Sequence, residues 1–105
     1  MIEVNVSWDL LPNIDQKAYG ELATKTVGSI LKAPGLVEFR AYRNILGTPQ
    51  VRSTSVWRTL ADWANYSDSD EWRTLEAGFR SFVSDMRVEI WGPSPVLTEP
   101  VRPSQ

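Results

Sequence analysis

A chain of 105 residues, 42% of them apolar and 23% charged, fits one compact domain and excludes a multidomain enzyme. Eleven Lys and Arg against thirteen Asp and Glu leave a net charge of −2, which offers no positive field to hold a phosphate backbone, so nucleic acid is not an expected partner. The chain has neither cysteine nor histidine, which removes thiol chemistry, disulfides, the usual metal and haem ligands and the commonest general base near neutral pH.

No metal and no cofactor are therefore expected. No apolar run approaches the roughly 18 residues that span a bilayer. Met1 leads directly into an alternating segment without the basic and apolar regions of a leader peptide, so the expected setting is cytoplasmic, soluble and away from membranes.

Ile2, Val4, Val6 and Trp8 alternate with Glu3, Asn5, Ser7 and Asp9, the period of a strand whose faces meet different surroundings. Leu11-Pro12-Asn13 ends it, and Asn13 or Asp15 is placed to cap a helix running to about Lys32, with Tyr19, Leu22, Ala23, Thr26 and Ile30 on one stripe. Ala33-Pro34-Gly35 stops that helix. Leu36 to Arg43 reads as a second strand, with Val37, Phe39 and Ala41 on one face and Leu36, Glu38, Arg40 and Tyr42 on the other. Asn44 to Pro49 is a hairpin connection, and Val51 to Arg58 a third strand.

Thr59 followed by Asp62 resembles an acidic capping box opening a short helix through Trp63 and Tyr66. Ser67-Asp68-Ser69-Asp70 breaks it and recaps a second run in which Trp72, Leu75, Phe79, Phe82 and Val83 recur at helical spacing. The acidic residues Asp68, Asp70 and Glu71 are accounted for by capping and the helix dipole, without a cation site. Met86, Val88 and Ile90 alternate with Arg87, Glu89 and Trp91 as a fourth strand. Pro93, Pro95, Pro100 and Pro103 then favour an extended tail, dividing the chain into a domain over 1–92 and a tail over 93–105.

The order β-α-β-β-α-β is the ferredoxin-like split plan, an α+β fold with a four-stranded antiparallel sheet. Both helical segments cover one face of such a sheet and leave the other bare. The bare face mixes Glu3, Glu38 and Glu89 with Arg40, Arg52, Arg58 and Arg87, and adds Leu36, Tyr42, Val56 and Trp91. Charges of both signs around bulky apolar groups suit a homodimer joined sheet to sheet, with the tail lying over the partner.

On the covered face the third strand contributes Val51, Ser53, Ser55 and Trp57, two small hydroxyls where a core wants Val or Ile. With Trp57, Trp63, Tyr66, Trp72 and Phe79 nearby, they predict a pocket with aromatic walls and a polar floor, suited to a small aromatic ligand. Aromatics at helical spacing serve equally as core, and serines bond equally to backbone or water.

The run Ser55-Val56-Trp57-Arg58-Thr59, continuing through Trp63-Ala64-Asn65-Tyr66 to Ser69-Asp70-Glu71-Trp72-Arg73, resembles the antibiotic biosynthesis monooxygenase family. The likeness extends over about residues 2–91 in element order and is carried mainly by 55–73. It implies a dimeric α+β barrel built from two ferredoxin-like chains. In the anthrone-oxidising branch, oxygenation without metal or flavin uses a tryptophan that corresponds to Trp57, an asparagine where this chain has Ser53 and a tyrosine where it has Trp63. Only the first of those three is kept.

In the haem-degrading branch the tryptophan and histidine ligand correspond to Tyr66 and Glu76, and Asn5 has the parity opposite the pocket. With no histidine to hold iron, haem cleavage is not expected. Two functions remain. One is a cofactor-independent monooxygenase acting on a small phenolic or quinol-like compound, with Trp57 stacking on it, Ser53 and Ser55 orienting an oxygen, and Tyr66 or Glu76 accepting a proton. The other is a catalytically silent dimer that binds a small ligand or serves as a structural partner.

Overall fold

The computed structural model describes residues 1–104. The elements run β1 (Ile2–Leu10), α1 (Gln16–Ile30), β2 (Leu36–Arg43), β3 (Val51–Trp57), α2 (Leu60–Ser67), α3 (Asp70–Arg80) and β4 (Val83–Trp91). The strands form one antiparallel sheet in the order β2-β3-β1-β4, and the helices bury its inner face, giving the ferredoxin-like α+β plan with its second crossover split into two helices. Among the described residues, no helix is long and apolar enough to cross a membrane.

Each helix starts on a side chain that takes an otherwise orphaned backbone N–H. Asp15 Oδ1 accepts from Ala18 N at 3.1 Å, which selects Asp15 over Asn13 as the cap of α1. Thr59 Oγ1 accepts from Asp62 N at 3.1 Å and donates to Asp62 Oδ2 at 2.9 Å. Ser69 Oγ accepts from Trp72 N at 3.2 Å while donating to the Tyr66 carbonyl at 2.6 Å, so one serine closes α2 and opens α3. Gly35, at φ +89°, lies so close to Asp62 that a Cβ there would overlap its carboxylate, and the Gly35 carbonyl accepts from Arg58 N at 2.9 Å. The exit of α1 is thereby locked to the end of β3.

One irregularity overturns the alternation expected at the start of β2, and a second lies in β4 ahead of the alternating run Met86–Trp91, which keeps its register with β1 from Arg87 onward. Leu36 pairs with Trp57 but Glu38 pairs with Val56, so a bulge at Val37 turns Leu36 into the core and leaves Val37 46% exposed. In β4 the register with β1 shifts between Ser7 and Asp9, and Asp85 adopts φ +54°, which lets Val83 and Met86 both reach the inner side. The strand accordingly begins at Val83; α3 ends at Arg80, short of the helical run expected to include Phe82 and Val83.

The outer face carries the expected mixture of charges. Arg40 reaches Glu3 Oε1 at 2.8 Å and Glu38 Oε2 at 2.9 Å. That bridge from β2 to β1 passes over β3, where Thr54 and Val56 are buried although they point away from the helices. Arg52 sits over the Tyr42 ring at 4.6 Å, and Tyr42 and Trp91 stay exposed.

Candidate functional site

The site begins with β3. Ser55 lies between Val4 of β1 and Phe39 of β2, and Ser53 between Val6 and Ala41. The strand's period of two thus sets both hydroxyls in an apolar strip of the inner face. Above them α1 lowers Tyr19, Thr26 and Ile30, α2 lowers Trp63, and α3 lowers Trp72, Glu76 and Phe79. They line a predominantly apolar, partly open cavity of about 160 Å³.

Edge-to-face packing stiffens the walls: Trp63 meets Trp72 at 5.8 Å and 68°, and Trp8 meets Phe79 at 5.0 Å and 80°. The polar groups of the wall are few. Thr26 Oγ1 donates to the Leu22 carbonyl at 2.8 Å. Trp8 Nε1 donates to Tyr19 Oη at 3.1 Å, and Trp57 Nε1 donates to Ser55 Oγ at 2.8 Å. Glu76 is the one carboxylate on the wall, with Arg80 a turn further along at 3.7 Å.

Of the residues singled out in the sequence, Ser53, Ser55, Trp63, Trp72, Phe79 and Glu76 all come together around this cavity. Trp57 and Tyr66 do not. Trp57 is 0% exposed and packs behind Ser55 against Trp63 and Tyr66, with ring centroids 5.6 Å from each. Tyr66 turns toward α1, where its hydroxyl is hydrogen-bonded to Ser29 Oγ at 2.8 Å, beside a separate surface recess that also includes Lys32, Asp62 and Glu71.

Burial pushes the Tyr66 phenol above its ordinary value, with the nearby Glu71 charge acting the same way and the Ser29 hydrogen bond opposing. That direction is the reverse of what a proton acceptor near neutral pH requires. Tyr19 was legible as part of the α1 stripe but not as a cavity hydroxyl. Its partner Trp8 lies on another element, and only the inward parity of Trp8 hinted at the pairing. Among the described residues, no three His, Cys, Asp or Glu side chains converge to hold a metal ion.

A family model described as antibiotic biosynthesis monooxygenase matches residues 1–78. The chain belongs to that family. Solved structures share the monooxygenase-family fold at low identity. A mutant of SnoaB, a cofactor-independent oxygenase from Streptomyces nogalater, is 10% identical with a TM-score of 0.78, covering 93% of this chain and 97% of that one. A conserved protein from Methanosarcina mazei Go1 is 13% identical with a TM-score of 0.76, covering 86% and 89%. A hypothetical protein from Arabidopsis thaliana is 10% identical with a TM-score of 0.78, covering 89% and 88%. Comparison with curated protein sequences returned no match. At such identities the structural likeness establishes the shared fold, and the chemistry has to be argued from the cavity.

Proposed function

We propose that this chain is a cofactor-independent monooxygenase acting on a small phenolic or quinol-like compound held in the inner cavity. One observation carries the reading: an apolar cavity with aromatic walls, two serines on its floor and a single carboxylate, Glu76, in its wall. The family match and the likeness to a cofactor-independent oxygenase support it. Size narrows the substrate. A dry cavity of about 150 Å³ in another protein admits benzene, so about 160 Å³ has room for one substituted ring.

In this reading Glu76 takes the phenolic proton, and the electron-rich ring it leaves is the reductant for dioxygen. Converting a phenol with a free para C–H to a quinone places one oxygen atom on the ring and releases the other as water. The substrate supplies both electrons that this second oxygen atom requires. Trp63 and Trp72 hold the ring, and Ser53 and Ser55 orient its oxygen. Trp57, behind Ser55, acts on the substrate only through that serine.

The decisive experiment follows oxygen uptake and quinone formation with phenol, 2-methylphenol and 1-naphthol, each with a free para C–H, aerobically and anaerobically. Oxygen-dependent turnover that falls about 10²- to 10⁴-fold in Glu76→Gln, with substrate binding retained, is the expected result. Absence of oxygen-dependent turnover with every compound defeats the oxygenase reading. The same absence with binding retained favours the silent ligand-binding protein, a reading that draws on Ser53 and Trp63 standing where the anthrone-oxidising pattern has asparagine and tyrosine.

The same proposal includes assembly. The outer face, with Tyr42 and Trp91 exposed among charges of both signs, suits pairing with a second copy sheet to sheet. Such pairing completes the barrel that the resemblance implies and leaves the inner cavities of the two copies independent.

A further inference from the structure

The indole of Trp57 is fully buried, yet its one polar atom is not idle: Nε1 donates to Ser55 Oγ at 2.8 Å. An indole nitrogen only donates, whereas a serine hydroxyl has one proton to give and two lone pairs. Occupying a lone pair from behind leaves the Ser55 proton to swing about Cβ–Oγ into the remaining directions. The residues paired across from Ser55 on either side are Val4 and Phe39, whose side chains offer no acceptor. The space in front of Ser55 is the cavity.

Tyr19 repeats the arrangement. Trp8 Nε1 donates to its hydroxyl at 3.1 Å, and Tyr19 also lines the cavity. Two indoles thus each commit a wall hydroxyl to the same role.

We propose that Trp57 is a positioning residue that fixes the Ser55 hydroxyl as a hydrogen-bond donor, so that the cavity selects single-ring aromatics bearing an acceptor oxygen: an aryl ketone, a quinone carbonyl or a phenolate. This deepens the monooxygenase reading and rests on its aromatic pocket. It explains why serine rather than valine is placed on the floor, and why a tryptophan out of reach of the ligand keeps its N–H aimed at that serine. For the proposed reaction, the same donor holds the phenolate oxygen before oxidation and the quinone carbonyl after it.

The test uses a pair of probes with matched shape, acetophenone and α-methylstyrene, which differ in carrying C=O or C=CH₂. Binding to the full chain is followed by titration calorimetry and by the Trp57 Nε1–H resonance in NMR. Acetophenone is expected to bind about 3- to 10-fold more tightly, the range of one neutral hydrogen bond. It is also expected to shift the Trp57 resonance, because donation by Ser55 strengthens its acceptance from the indole, while α-methylstyrene leaves that resonance in place.

Ser55→Ala should bind both probes equally without weakening α-methylstyrene, and Trp57→Phe, which keeps a ring and deletes the N–H, should narrow the preference. Equal binding to the wild-type chain, or an unchanged preference in Ser55→Ala, overturns the inference and leaves the pocket standing. Failure of both probes to bind removes the pocket and the inference together. Should the variants fold poorly, the resonance shift in the wild-type chain decides alone: no selective shift with acetophenone overturns the inference.

Discussion

Tyr66 shows how one side chain serves the fold beside the site rather than in it. Its hydroxyl and Ser29 Oγ satisfy each other at 2.8 Å between α2 and α1, and both residues are buried. Replacing it with phenylalanine leaves the Ser29 hydroxyl unpaired, a loss of about 1–3 kcal/mol that urea unfolding of Tyr66→Phe at pH 7 will read. The phenol also carries a pH dependence. Its folded pKa lies above the ordinary value of 10.0, chiefly through burial, so its contribution is fully present below about pH 10 and is lost as pH rises through the folded value. Wild-type stability should therefore decline above pH 10 more steeply than that of Tyr66→Phe. Equal slopes in parallel melts would show that Tyr66 does not set the alkaline limit. Trp57 and Ser55 are linked in the same manner, so losing the Ser55 hydroxyl would leave a fully buried indole N–H unpaired.

At the scale of elements, the break between α2 and α3 decides what faces the cavity. Ser69 accepts from Trp72 N and donates to the Tyr66 carbonyl, and α3 carries Trp72, Glu76 and Phe79 into the wall from that start. Ser69→Ala should cost about 1 kcal/mol, as a lost N-cap does, and should loosen ligand binding as well; unchanged denaturant midpoint and affinity would show that packing alone holds α3. This break was legible because caps are local: Asp15, Thr59 and Ser69 each bond within three residues of themselves. So was the serine floor, because parity along β3 places Ser53 and Ser55 on one face whatever lies beyond. The bulges at Val37 and Asp85 were not, since register is settled between strands distant in sequence, and a one-residue slip exchanged Leu36 and Val37 between faces. Parity also reports face but not depth. It put Trp57 on the correct side without showing that α2 covers it, so a residue read as touching a ligand is packed outside the cavity lining, against Trp63 and Tyr66.

At the scale of the whole molecule, the chain is extended for its length. The radius of gyration is 15.2 Å, against about 13 Å for a compact chain of this length. Residues 93–104 form neither helix nor strand and leave Val96, Leu97 and Val101 exposed. Ser94 Oγ accepts from both Val96 N and Leu97 N at 3.1 Å, so the tail presents these side chains in a defined turn. Ile45 and Leu46 stand equally bare at the tip of the β2–β3 hairpin. On the proposed division, residues 1–92 fold without the tail, and residues 93–105 strap onto the partner of a dimer joined through the outer face. Each buried Val or Leu of the tail contributes up to about 1.5–3 kcal/mol before the cost of ordering it. Deleting 93–105 should therefore weaken the dimer by at least about tenfold in light scattering across a dilution series, with the circular dichroism spectrum unchanged. Trp91→Asp, which puts a charge into the middle of the contact, should give monomers at concentrations where the full chain is dimeric. If the intact chain instead remains a single stable particle at every concentration, the sheet face is simply solvated, and the tail needs another explanation.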